Sequence, residues 1–89
     1  MTFGELFDAL LDEAGHTQVC LHGAERVSAG IVGFVFRDRP LGEHASGGNW
    51  SWVRAVDMVW LRESGCSPMK LAKQLADEAR AEHARRGQQ

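Results

Sequence analysis

An α+β domain is what this sequence predicts: an N-terminal helix, a strongly bent antiparallel sheet curling into a small barrel, and a C-terminal helix. Three observations point there. Apolar residues recur at intervals of three and four near the N-terminus. The centre then changes to the period of two, with no helical stretch between its strand segments. Finally, Ser67-Pro68 opens an alanine-rich tail with helical spacing. The 89 residues suit a single domain, expected as helix 2–15, sheet 17–62 and helix 67–86.

The first helix reads from "TFGELFDALLDEAG". Thr2 and Glu5 have the spacing of a capping box, in which each side chain satisfies the other residue's backbone N–H. Phe3, Leu6, Phe7, Leu10, Leu11 and Ala14 form one stripe, and Gly15 is the expected stop. Each large apolar side chain of that stripe contributes roughly 1.5–3 kcal/mol if fully buried, so the helix needs a partner surface.

The centre is read as strands joined by short turns. "TQVCLH" alternates Val19 and Leu21 with Gln18, Cys20 and His22, and "GAER" follows as a tight-turn candidate. "VSAGIVGFVF" is rich in β-branched and aromatic residues. Gly30 and Gly33 within it suggest a sharp bend or a close backbone approach. "RDRPLGEHASGG" is a polar loop, with room for a short strand near Leu41. "NWSWVRAVDMVWL" resumes the strand pattern through Leu61, and "RESGCS" interrupts it. Strands linked this way pair antiparallel, and glycine kinks would coil so small a sheet into a partly open barrel. The last helix, "PMKLAKQLADEARAEHARR", has Ser67 as N-cap and Pro68 in its first turn, with Leu71, Ala72, Leu75, Ala76 and Ala79 on adjoining rows.

Composition is that of an ordinary globular chain, 44% hydrophobic and 25% charged. The net charge of −2 is unevenly spread. Glu5, Asp8, Asp12 and Glu13 make an acidic head, whereas Lys70, Lys73, Arg80, Arg85 and Arg86 outnumber the acids of the tail. This balance does not describe a strong polyanion binder, and attraction between the two ends explains it equally well. Cys20 and Cys66 form no C-x-x-C pair, no signal peptide is recognisable and no apolar run approaches a membrane span, so reduced thiols in a cytoplasmic protein are expected.

One stretch carries a family resemblance. "VRAVDMVWL" offers Val53, Arg54, Ala55, Val56, Asp57 and Met58 followed by Val59, Trp60 and Leu61. That resembles the second motif of the Sm/LSm family, with Ala55 where the pattern has glycine. "VCLHGAERVSAGIVGF" is similar to the first motif, a strand, a glycine turn and a bent strand, through Gly23 and Gly30. The resemblance spans residues 3–62 and implies an Sm-like or SH3-like barrel. In such a barrel Arg54 would project from a turn toward an RNA base or phosphate, and Asp57 would hold that turn through its backbone. The family's uracil-holding asparagine has no counterpart after Phe34, where "VFRDRPLGEH" stands.

Two functions from different classes follow. The first is non-enzymatic binding of RNA or single-stranded nucleic acid by an Sm-like homo-oligomer, its strands paired edge to edge between copies. Arg37, Arg39, Arg54 and Asp57 are the candidate contacts, with His44 beside them. The second is a protein-interaction or inhibitor module that uses the barrel or the acidic helix, with Trp50 and Trp52 as the partner interface. Trp50 and Trp52 share one strand face and suit either stacking or core packing. No cofactor is expected. Cys20 and His22 fall short of a metal-ligand set, and a Ser28, His44 and Asp57 triad lacks a nucleophile elbow.

Overall fold

The computed structural model describes residues 1–14, 19–38 and 50–87, with the backbone alone at 86 and 87. The elements run α1 (Phe3–Ala14), β1 (Val19–Ser28), β2 (Ile31–Asp38), β3 (Ser51–Asp57), α2 (Met58–Glu63) and α3 (Pro68–Gly87). Expectations for Gly15, Gln18, the strand near Leu41, Arg39 and His44 lie outside the described residues.

The capping box closes α1 as its spacing predicts. Thr2 N–H donates to Glu5 Oε1 at 2.9 Å, and Glu5 N–H donates to Thr2 Oγ1 at 3.2 Å. That first bond and the Thr2 hydroxyl hold the Glu5 carboxyl below its ordinary pKa. The stripe buries Leu6, Leu10 and Ala14, while Leu11 faces solvent. Phe3 stacks on Phe34 with ring centroids 5.6 Å apart, bringing α1 onto the sheet.

Among the described residues the sheet has three strands in the order β1-β2-β3, all antiparallel. Among the described residues it is open, and the expected barrel closure is not seen in them. Phe34 and Phe36 of β2 point to one face and are fully buried with Val56 of β3. Leu61, Leu71, Ala72, Leu75 and Ala79 join them in one core with Leu6 and Leu10, so α1, α2 and α3 all contribute to the layer on that face. Part of the charge asymmetry is settled inside the chain. Arg80 of α3 donates to the Glu13 carbonyl of α1 at 2.9 Å and approaches the Glu13 carboxylate at 3.5 Å.

Three local expectations change. "GAER" lies inside β1, whose pairing with β2 shifts between Leu21 and Gly23 and again between Arg26 and Ser28. The extra residue of a bulge absorbs the irregularity that the glycine suggests. "VSAGIVGFVF" is a hairpin and not one strand. Gly30 takes φ +76° in the turn between Ser28 and Ile31, a conformation glycine adopts without steric cost. Gly33 does mark a close approach: a Cβ there would stand 2.5 Å from Val53 Cγ1 and 2.9 Å from Val27 Cγ2.

The third change is at residues 54–57. They continue β3 in pairing with β2 and make no corner. The strand expected through Leu61 ends instead at Asp57, whose carboxylate accepts from Val59 N–H at 2.8 Å and Trp60 N–H at 3.2 Å. Asp57 is therefore the N-cap of α2. Satisfying those two N–H groups favours a helical start where side-chain pattern alone reads strand.

Candidate functional site at the edge of the third strand

β3 is the last strand of the sheet, so half of its backbone groups have no strand beside them among the described residues. The phase of the ladder says which half. Met58 N–H donates to the Gly30 carbonyl at 2.8 Å. Antiparallel alternation then turns Val56, Arg54 and Trp52 toward β2, and the backbone groups of Asp57, Ala55 and Val53 outward. The Ala55 carbonyl agrees with this phase, because it accepts from Arg54 Nη1 at 2.6 Å on the open side.

The side chain of Arg54 thus lies over the edge instead of projecting into solvent. Its Nε donates to Glu78 Oε2 of α3 at 2.9 Å, which ties the strand to the helix. Both side chains are more than a third exposed, so the pair stabilises the fold by about 1 kcal/mol at most. Placing a charge over an edge strand is a common means of blunting it against unwanted pairing.

Beside this edge, β3 and α3 leave a cavity of about 330 Å³. Residues 54–57 form one wall, Leu71, Gln74 and Leu75 of α3 the other, and Trp60 and Cys66 also line it. Leu71 and Leu75 are buried and give the cavity an apolar floor, whereas Trp60 is 50% exposed. The Asp57 cap holds the Trp60 backbone, so strand end and indole are positioned together. A concave, largely apolar site with a few polar groups is the usual form of a binding pocket.

Arg54 and Asp57 of β3 put charge on the cavity wall itself, and the neighbouring surface of α3 carries more. Lys73 pairs with Asp77 at 3.4 Å, and Arg80 Nη1 also reaches Asp77 at 2.8 Å. Desolvation pushes the Asp77 carboxyl up, but the bond from Arg80 and the Lys73 charge outweigh it and leave the pKa below its ordinary value. Lys70, one turn before Gln74, is exposed and makes no ion pair among the described residues.

The residues named from sequence are scattered. Arg37 is exposed on the outer face of the sheet, where its carbonyl accepts from the Cys20 thiol at 3.4 Å. Arg54 is on β3 beside α3, Asp57 is occupied in capping, and Arg39 is outside the described residues. Trp50 and Trp52 are half-buried against the core. Trp50 meets the His83 ring edge-on at 5.0 Å, and Trp52 packs on Phe36 at 6.0 Å. His83 Nε2 also bonds Asp38 Oδ1, which joins α3 to the end of β2.

Trp60, Gln74 and Glu78 are the site residues that sequence reading missed. The signal for Trp60 was Asp57 itself, a good N-cap residue directly before "MVWLRE". Cys20 and Cys66 are both free. Among the described residues, no three potential metal ligands gather and no helix is long and apolar enough to cross a membrane. The chain matches no family model, no curated protein and no solved structure.

Proposed function

We propose that the protein is a non-enzymatic protein-interaction module whose contact surface is the β3 edge with the cavity beside it. The observation that carries this reading is the juxtaposition of outward backbone groups at Val53 and Ala55 with an apolar-floored cavity and a half-exposed indole. Tryptophan at the mouth of an apolar pocket is the residue type that most often dominates binding energy between proteins. The nucleic-acid reading has weaker support. Arg54 is engaged by Glu78 and by a backbone carbonyl, Asp57 is engaged by two N–H groups, and Arg37 lies on a different face.

The test compares two kinds of ligand on the same protein. A complex captured from nuclease-treated extract of the source cells, and lost in Trp60→Ala, is the expected result. Trp60→Ala removes a half-exposed side chain, so the variant should fold and its circular dichroism should match the wild type. A salt-sensitive shift of labelled oligo-U or oligo-A that is unchanged in Trp60→Ala and lost in Arg37→Ala would overturn the reading in favour of nucleic acid.

A further inference from the structure

We propose that the partner is engaged as an added β-strand. An extended segment pairs with Val53 and Ala55 of β3, sets an apolar side chain into the cavity, and presents a carboxylate to Arg54. This rests on the protein-interaction reading and specifies its ligand.

The two edges of the sheet differ in their fitness for such pairing. β1 is interrupted by two register shifts, whereas β3 pairs with β2 from Ser51 to Asp57 without one. A regular strand presents its outward N–H and C=O groups at even spacing, the template that strand addition requires. Bulges disturb that spacing and twist the strand away. The hydrogen-bonding surface therefore belongs to β3.

The cavity determines which side chain is accepted. A strand laid beside β3 alternates its side chains between the two faces of the sheet. Those on the Phe34 face descend toward Leu71 and Leu75, where the floor is apolar. Those on the other face lie beside Val53, which is 40% exposed. A segment with an aliphatic residue and a carboxylate two positions apart places both on the Phe34 face, where the apolar floor and Arg54 lie.

Charge fixes the remaining feature. Strand pairing needs the Ala55 carbonyl, which Arg54 Nη1 now occupies. The guanidinium must release it, and a ligand carboxylate supplies an acceptor of equal or greater strength in its place. Of the nearby carboxylates, Asp57 caps α2 and Glu78 holds only Arg54 Nε, which leaves Arg54 Nη1 for the ligand, and Lys70 stands one turn before Gln74 on α3. An acidic segment is favoured over a basic one, and Arg54 acts as a latch that opens for it.

The experiment uses two blocked peptides, acetyl-Thr-Val-Thr-Glu-Thr-Leu-Thr-amide, whose Val, Glu and Leu share one strand face, and the same peptide with Lys in place of Glu, titrated into the full chain labelled with nitrogen-15. The expected result is that the Val53 and Ala55 amides and the Trp60 indole shift first. The Glu peptide should bind about fivefold more tightly than the Lys peptide, as one exposed ion pair allows. Arg54→Ala should erase that preference, and Gln74→Trp, which fills the groove from α3 without adding charge and leaves Arg54 in place, should weaken both peptides. Bound peptide should also slow alkylation of Cys66 and leave Cys20 unaffected.

Absence of shifts at Val53 and Ala55 with either peptide at millimolar concentration would overturn strand addition. Equal affinity for the two peptides would overturn the carboxylate. If the complex from extract persists in wild type while those amides stay still, protein interaction stands and strand addition fails. If the free protein dimerises with Val53 and Ala55 protected, a second copy fills the edge and the proposal is overturned.

Discussion

Among the described residues the sheet has two edges, β1 and β3, and they are defended differently. β1 carries two register shifts and exposes Glu25 and Arg26, so its irregular backbone offers a poor template to any other strand. β3 is regular throughout and is defended by one side chain, Arg54, held over the Ala55 carbonyl by Glu78. A bulge is built into the backbone and costs conformational energy to remove. A side-chain latch worth about 1 kcal/mol or less can be displaced by a ligand. On the proposed strand addition, the first edge resists pairing and the second does so only until something competes for the guanidinium.

The two edges meet over Gly33, and the largest expected effect is there. Val27 of β1 and Val53 of β3 close over this glycine from either side on the outer face. Gly33→Ala would force both valines aside, because a Cβ 2.5 Å from Val53 Cγ1 cannot be accommodated. We expect a loss of about 1–3 kcal/mol in chemical denaturation. Val53→Ala in the same chain should recover part of that loss, and full additivity of the two changes would show that the contact is not what limits the site.

Asp57→Ala comes next. It removes the acceptor for two N–H groups at the start of α2 and should cost about 1 kcal/mol. The more specific readout is Trp60, whose fluorescence should move as α2 frays. Asp57→Asn keeps a capping oxygen and should restore most of the loss; no difference between the two variants would deny Asp57 its capping role.

Arg54→Ala should change stability little, by about 1 kcal/mol or less. Its effect is on association: with the latch gone, the β3 edge should self-associate more strongly at high concentration, which light scattering would measure. An equivalent charge removal on β1, Arg26→Ala, should leave association unchanged. If both variants behave alike, the two edges do not differ as described.

The smallest effect lies far from either edge. The Glu5 carboxyl is lowered in the folded chain by the Thr2 N–H and hydroxyl. Its contribution is complete above the ordinary carboxylate pKa and is lost as the pH falls through the lower folded value. Glu5→Gln should therefore flatten the acid limb of the stability profile slightly, with the neutral region nearly unchanged.

How much of this was legible from sequence follows from the range of each interaction. The α1 cap, its buried stripe and the start of α3 depend on residues three or four apart, and their periodicity survives in the chain as written. The α+β class and the antiparallel pairing were likewise readable from period and from the absence of intervening helices. The end of β3 was not, because "VRAVDMVWL" satisfies a strand pattern as well as a strand followed by a capped helix. The choice depends on where the Asp57 carboxylate finds its donors. The partners of Arg54 and Arg80 are 24 and 67 residues away, and no local spacing records them. The cavity depends on how β3 and α3 diverge, which is a property of packing and not of either segment.

Hydrogen exchange along β3 in the free protein tests the open edge most directly. Alternation is the expected result: slow exchange at Arg54 and Val56, whose amides face β2, and fast exchange at Val53 and Ala55, whose amides face outward. Equal protection at all four positions would mean that something already covers the edge, and would contradict the site proposed for this protein.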